Sequence, residues 1–323
     1  MNRTATYTPG LAAFAAIGSG WVFVLVALGA FTTSIGAGMV FSDWPLSNGS
    51  VNPPGWLTEI DKFAEHSHRL SASMMSMITI ILAGWLWLTE ERPWLRRVAY
   101  FAVGLVLTQA VVGGLRVLFD NLQIDLVNTS LGRLFAMLHA FLAQAFVCTL
   151  FTIAIASSRQ WIEENSRLTG ASCTRLRKLG TGCVALLLLQ LSLAAVVRHS
   201  FAGLAIPTFP LSTPDGGLLP AAWDFRVGIH FAHRVLAGIL TVALGSFVVQ
   251  LWREPAVPAA LRWLGIALLG LISLQIYLGA QIIWTGRSVY MTTGHVVVGA
   301  LTLAVTFLLT FFTYHGSIGT QRP

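Results

Sequence analysis

The chain has 323 residues, of which 55% are hydrophobic and 10% charged, with a formal net charge of +7. Soluble domains average about 25% charged residues, so this composition and a mean hydropathy of +0.72 exclude an ordinary soluble domain and indicate a polytopic membrane protein. The sequence pI near 9.9 is no sign of nucleic-acid binding, because the basic residues lie in short loops between apolar runs, where they report topology.

Residues 1–10 carry only Arg3 and lack the Arg- and Ser-rich extension of a mitochondrial transit peptide. The first apolar run, 15–37, is too long for a signal peptide and is expected to remain as a helix. A loop with Gly38 and Trp44-Pro45-Leu46 follows, and the second run, 65–88, opens on Glu65-His66-Ser67-His68-Arg69. The third run, 97–118, carries Gln109, and the fourth, 133–157, carries His139. Residues 158–178 are polar and charged and read as a linker. The fifth run, 179–199, leads to a loop with Phe209-Pro210-Leu211. The sixth, 227–251, contains His230-Phe231-Ala232-His233-Arg234; the seventh, 262–284, contains Gln275; the eighth, 290–314, contains His295.

Each run can cross a hydrocarbon core of about 30 Å. Backbone polar groups in lipid must pair within their own segment, so these runs predict an all-α polytopic membrane protein with eight transmembrane helices. With an even number of spans both termini share a side. That side carries twelve of the twenty Lys and Arg, which predicts cytoplasmic termini. The opposite side carries Lys62, Arg69, Arg116, Arg133, Arg198, Arg226, Arg234 and Arg287, clustered at helix ends.

The two halves repeat. His68-Arg69 and His233-Arg234 are 165 residues apart, as are Gly38 and Gly203, and Trp44-Pro45-Leu46 and Phe209-Pro210-Leu211. Gln109 and Gln275 are 166 apart, and His139 and His295 are 156 apart. Landmarks in one order at nearly one offset imply two duplicated four-helix bundles: an N-terminal unit over 1–157, a cytoplasmic linker over 158–178 and a C-terminal unit over 179–323. The three cysteines, Cys148, Cys173 and Cys183, have neither metal-finger nor disulfide-framework spacing.

His68, His139, His233 and His295 fall at similar depth near one face, two per unit. A lone intramembrane histidine can be a satisfied core residue, but four in symmetric pairs suit the two axial positions of a heme iron. Zinc or copper fits less well, because no Cys, Met or carboxylate completes a set in each unit. Arg69 and Arg234 follow the candidate ligands and are candidates for binding heme propionates; the plainer alternative is that they snorkel to the interface. Glu65 shares a helix face with His68, whereas the matching position in the second half is His230. That asymmetry suggests chemistry at the N-terminal site and an electron-carrying heme at the C-terminal one. The alternative is a first-turn acid favoured by the helix dipole.

Gly36-Ala37-Gly38, Asp43-Trp44-Pro45-Leu46-Ser47-Asn48-Gly49 and Glu65-His66-Ser67-His68-Arg69, with His139, His233-Arg234 and His295, resemble the heme A synthase (CtaA/Cox15) family over nearly the whole chain. The resemblance implies a prokaryotic inner-membrane oxidoreductase that converts a ring methyl of heme O to the formyl group of heme A by successive hydroxylation, supplying terminal oxidases. It implies that His68 and His139 bracket the substrate heme O. It gives His233 and His295 to a heme b cofactor, and makes Glu65 the catalytic acid. Implied partners are heme O, a heme O synthase and oxidase assembly factors, alongside membrane lipid and a second copy of the chain as a homo-oligomer. Many bacterial members carry two loop cysteines where this chain has Phe41 and Ser47, so the loop is expected to be held by packing through Trp44, Pro45, Pro53 and Pro54. The competing readings are a diheme b-type cytochrome of quinol electron transfer and a non-enzymatic membrane heme carrier.

Overall fold

The computed structural model describes residues 6–124, 129–163 and 171–315. Among them, eight helices are long and apolar enough to cross a membrane. Four come first: α1 (Pro9–Ser34), α2 (Ile60–Thr89), α3 (Pro93–Leu118) and α4 (Leu131–Ser157). A short α5 (Arg159–Glu163) precedes α6 (Ala171–His199), α7 (Phe225–Arg253), α8 (Ala259–Trp284) and α9 (Val289–Thr313). The α3–α4 connection holds a small hairpin, β1 (Gln123–Ile124) against β2 (Thr129–Ser130), with Gln123 opposite Ser130.

Several helices start earlier than hydropathy alone indicates. α2 begins at Ile60 because its first turns are polar (Asp61 and Lys62) and carry no apolar signal. α6 begins at Ala171, inside the segment read as linker. Pro stands at the start of α1 and α3, where its missing N–H costs nothing. Ser130 and Asp224 cap α4 and α7 by accepting the N–H groups of Arg133 and Val227.

Each half closes as a ring of four: α1 packs on α2 and α4, α2 on α3, and α3 on α4, while α6, α7, α8 and α9 repeat that order. The halves meet through α1 on α9, α4 on α6 and α4 on α9. Under the repeat, α1 corresponds to α6 and α4 to α9. The first two contacts are therefore one contact made twice, and α4 against α9 lies on the pseudo-twofold. Burial agrees: 56% of the apolar window of α4 and of α9 is buried, against 17% for α8. α9 serves both cores, giving Ala304 to one and Leu303 and Leu309 to the other. The peripheral helices expose large apolar side chains such as Leu88 and Val242 to what lipid would cover. His315 Nε2 donates to the Trp161 carbonyl of α5 at 2.7 Å and packs on that ring, tying the linker to α9.

Successive spans run antiparallel, so the α1–α2, α3–α4, α6–α7 and α8–α9 connections share one end, the loop end. Both long loops leave their helices alike. Ala37 N–H donates to Thr32 O and Ala202 N–H to Val197 O, each at 2.9 Å, 165 residues apart. The turn residue between has positive φ in both: Gly36 at 81° and Phe201 at 57°. Glycine takes that conformation freely, whereas Phe201 holds it with the Arg133 guanidinium 5.0 Å above its ring.

Candidate functional site

Every span that carries a candidate ligand starts at the loop end. His68, His139 and His233 are each the ninth residue of their helix (60–68, 131–139, 225–233), and His295 is the seventh of α9 (289–295). At about 1.5 Å per residue all four lie roughly 9–12 Å below the helix starts. All four stay half-buried within the bundle.

In the C-terminal half the rings of His233 and His295 face each other with centroids 6.5 Å apart. Two metal–imidazole bonds of about 2 Å and the two ring radii span about 6 Å, so the pair fits the axial positions of one iron. His295 Nδ1 lies 3.1 Å from the Gln275 carbonyl, which can only accept, so Nδ1 carries the proton and Nε2 presents its lone pair. The Gln275 amide approaches that Nε2 at 3.2 Å, and Gln190 approaches His233 Nε2 at 3.4 Å while donating to its backbone carbonyl. Both lone pairs are thus aimed and lightly capped, and an iron would displace the caps.

The N-terminal pair is looser. Gln109, the counterpart of Gln275, donates its side-chain amide to the His139 backbone carbonyl at 3.1 Å rather than to the ring. The Nδ1 atoms of His68 and His139 are buried without a partner, as is that of His233 in the other half, an arrangement costly in a finished core and consistent with groups that arrive later. Glycines make room for the rings: a Cβ on Gly113 would lie 3.3 Å from His139 Cε1, and on Gly279 3.2 Å from His295 Cε1. These glycines are 166 residues apart, each four residues after its glutamine. A Cβ on Gly29 would lie 2.8 Å from His68 Cε1.

Glu65 and Arg69 belong to a clamp on the first loop. Glu65 Oε2 accepts from Val40 N–H at 2.7 Å and Phe41 N–H at 3.1 Å, and Oε1 pairs with Arg69 at 2.6 Å. Arg69 also donates to the carbonyls of Phe41, Asp43 and Leu46. The second half repeats this. Ile206 N–H lies 3.2 Å from His230 Nδ1 and Arg234 Nε 3.3 Å from His230 Nε2, of which a neutral imidazole accepts from one, and Arg234 donates to the Ile206 carbonyl at 3.0 Å. Phe41 and Ile206 are again 165 apart. Glu65 is also the sixth residue of α2, so the first-turn explanation falls; Asp61 occupies that place.

The first loop is held by this polar clamp more than by prolines. Phe41 is fully buried, and Ser47 bonds His66 Nδ1 at 3.0 Å, with the Trp56 ring 4.8 Å from His66. Trp44 does pack, lying against Gly114 of α3 where a Cβ would overlap its indole. Asp43 accepts from Asn48 and Gly49 N–H groups, both at 2.7 Å. Partial desolvation pushes its carboxyl up, but the Gly49 and Asn48 amides outweigh that and hold it below the usual carboxylate value.

Sequence reasoning missed Gln190 and the glycine cradles. The Gln-x-x-x-Gly spacing shared by 109–113 and 275–279 was the available signal.

A family model described as COX15-CtaA, cytochrome oxidase assembly protein, matches residues 12–307. A heme A synthase of an Exiguobacterium species is 25% identical over 305 residues, covering 94% of this chain and 92% of the relative. Heme A synthases of Halalkalibacterium halodurans and Geobacillus kaustophilus are 25% and 26% identical, covering 79% and 85% of this chain and 80% and 82% of theirs.

Proposed function

Because the chain belongs to the COX15-CtaA family of cytochrome oxidase assembly proteins, we propose that it is a heme A synthase, oxidising the ring methyl of heme O to the formyl group of heme A. The observation that carries this reading is the inequality of the two histidine pairs. One pair has a glutamine amide at each Nε2 atom; in the other the glutamine amide goes to the His139 backbone carbonyl instead, and a carboxylate lies one turn from His68. A resident group suits ligands held in that way, and an exchanging substrate suits ligands that are not.

His233 and His295 hold heme b, which when bound supplies electron-carrying redox chemistry. His68 and His139 orient the substrate heme O. Glu65 is the catalytic acid, positioned by Arg69 and the Val40 and Phe41 amides, and it handles protons beside the reacting ring. The clamp also keeps the first loop over the site, which limits water. The loop end faces outward and the termini lie in the cytoplasm of a prokaryotic cell, following the Lys and Arg bias. A heme O synthase supplies the substrate, and oxidase assembly factors receive the product.

The test is expression of the full chain in cells that make heme O, followed by extraction and chromatography of the pigments. Heme A or hydroxylated heme O is expected. Heme O alone, from a folded and heme-loaded protein, overturns the reading.

A further inference from the structure

The two halves differ on both sides of the first ligand of each pair. Three residues before His68 stands Glu65, and three before His233 stands His230. Three residues after His68 stands Ser71, and three after His233 stands Leu236. Residues three apart share a helix face, so these positions flank the ligand, about one turn toward the loop end and one turn away from it. Glu65 and His230 belong to the loop clamps. Ser71 lies on the far side of the ligand from them.

Ser71 is the odd hydroxyl of α2. Ser67, Ser73, Ser76, Thr79 and Thr89 each donate to the carbonyl four residues back, which satisfies a hydroxyl within an apolar helix. Ser71 Oγ is buried with no partner, in a residue only 5% exposed. A hydroxyl left so is costly and suits a partner that the chain itself does not supply. Leu236, at the matching place, packs against the core of the second half, so the repeated architecture needs no polar group there.

The surroundings on α2 narrow the partner. Toward the loop end of His68 lie Glu65 and its clamp. Away from it, the stripe that Ser71 begins continues as Met75, Ile78 and Leu82, all buried and apolar. A ring held at His68 thus meets a polar stretch of α2 on one side and an apolar stretch on the other, with one unsatisfied hydroxyl where the apolar stretch begins. Heme O matches that pattern. Its isoprenoid tail is apolar, and the carbon joining the tail to the ring carries a single hydroxyl. Protoheme, the heme of the b type, has a vinyl group at that place, which a leucine suits.

We propose that the Ser71 hydroxyl binds the hydroxyl at the root of the heme O tail and selects heme O over protoheme at the N-terminal site, while Leu236 fits the C-terminal site to the vinyl. This rests on the reading of the His68 and His139 site as the place of heme O. Both hydroxyls donate and accept, so one hydrogen bond joins them in either direction.

The test titrates the full chain, purified with its C-terminal heme in place, with hematoheme or protoheme, and follows the Soret band. Hematoheme has hydroxyethyl groups where protoheme has vinyls and has no tail, so the pair isolates the hydroxyl. Ser71→Ala is expected to lower the ratio of hematoheme to protoheme affinity about three- to tenfold, the scale of one neutral hydrogen bond. It is also expected to raise KM for heme O by a similar factor and to leave kcat near wild type. Ser71→Thr, which keeps a hydroxyl, is expected to hold the wild-type ratio. So is Ser76→Ala, because the Ser76 hydroxyl is spent on the Ala72 carbonyl. An unchanged ratio in Ser71→Ala, or an equal fall in Ser76→Ala, overturns the proposal and leaves heme binding intact. Failure of either heme to bind beyond the resident one removes the reading of the N-terminal site, and the proposal with it.

Discussion

The loop clamp of the N-terminal half closes on a carboxylate, and the same clamp in the C-terminal half closes on an imidazole. The backbone groups involved are 165 residues apart, and so are the arginines. Holding the loop therefore does not require an acid, since the His230 imidazole stands in that place. The histidine pairs differ in the opposite sense. The C-terminal rings are fixed by Gln190 and Gln275, whereas the N-terminal rings are not. On the proposed reading, the repeated site holds a resident group in one half and is a reacting, acidic site in the other.

The largest effects should come from the ligands. His233→Ala or His295→Ala is expected to remove the whole low-spin heme b signal in the visible spectrum. His68→Ala or His139→Ala is expected to keep that signal and abolish conversion of heme O. If either N-terminal substitution removes the resident heme as well, the division of labour between the halves is wrong.

Next come the glycine cradles. Gly113→Ala and Gly279→Ala place a methyl about as close to a histidine ring as each other, yet the rings differ in freedom. His295 is held at both nitrogens and cannot yield, so Gly279→Ala should cost about 1–3 kcal/mol in thermal stability of the heme-loaded protein. Gly113→Ala should cost less, because the Gln109 amide is bonded to the His139 carbonyl and does not hold its ring. Equal losses would mean that the two pockets are equally stiff.

The smallest effect concerns the first loop alone. The Asp43 carboxyl sits below its ordinary value, so its contribution is complete above that ordinary value, about 4, and is lost as pH falls through the lowered one. Amide-exchange protection at Asn48 and Gly49 should hold at neutral pH and fall in acid. Asp43→Asn should remove that pH dependence. An unchanged acid profile in the variant would assign the protection to other groups.

The spans, the duplication and the shared depth of four histidines were legible because hydropathy and spacing are local properties of the chain. The polar starts of α2 and α6 were not, since Asp61, Lys62 and Arg175 to Lys178 lie at helix ends that hydropathy cannot extend. The partners of Glu65 were also hidden. They are backbone amides of Val40 and Phe41, and a main-chain N–H leaves no mark in composition. Arg69 looked free for a ligand for the same reason, its acceptors being loop carbonyls. Gln275 was visible as a landmark, but only packing shows that its amide reaches the ring while that of Gln109 reaches the backbone.

Glu65→His writes the C-terminal clamp into the N-terminal half and tests the account most directly. The loop around Val40 and Phe41 should stay as resistant to limited proteolysis as in wild type, because an imidazole serves that purpose at His230. The heme b spectrum should be unchanged. Conversion of heme O should fall by about 100-fold or more, the scale of a lost acid–base group. Heme A formed at the wild-type rate, with the loop and heme b intact, would contradict the claim that the acid separates the two halves.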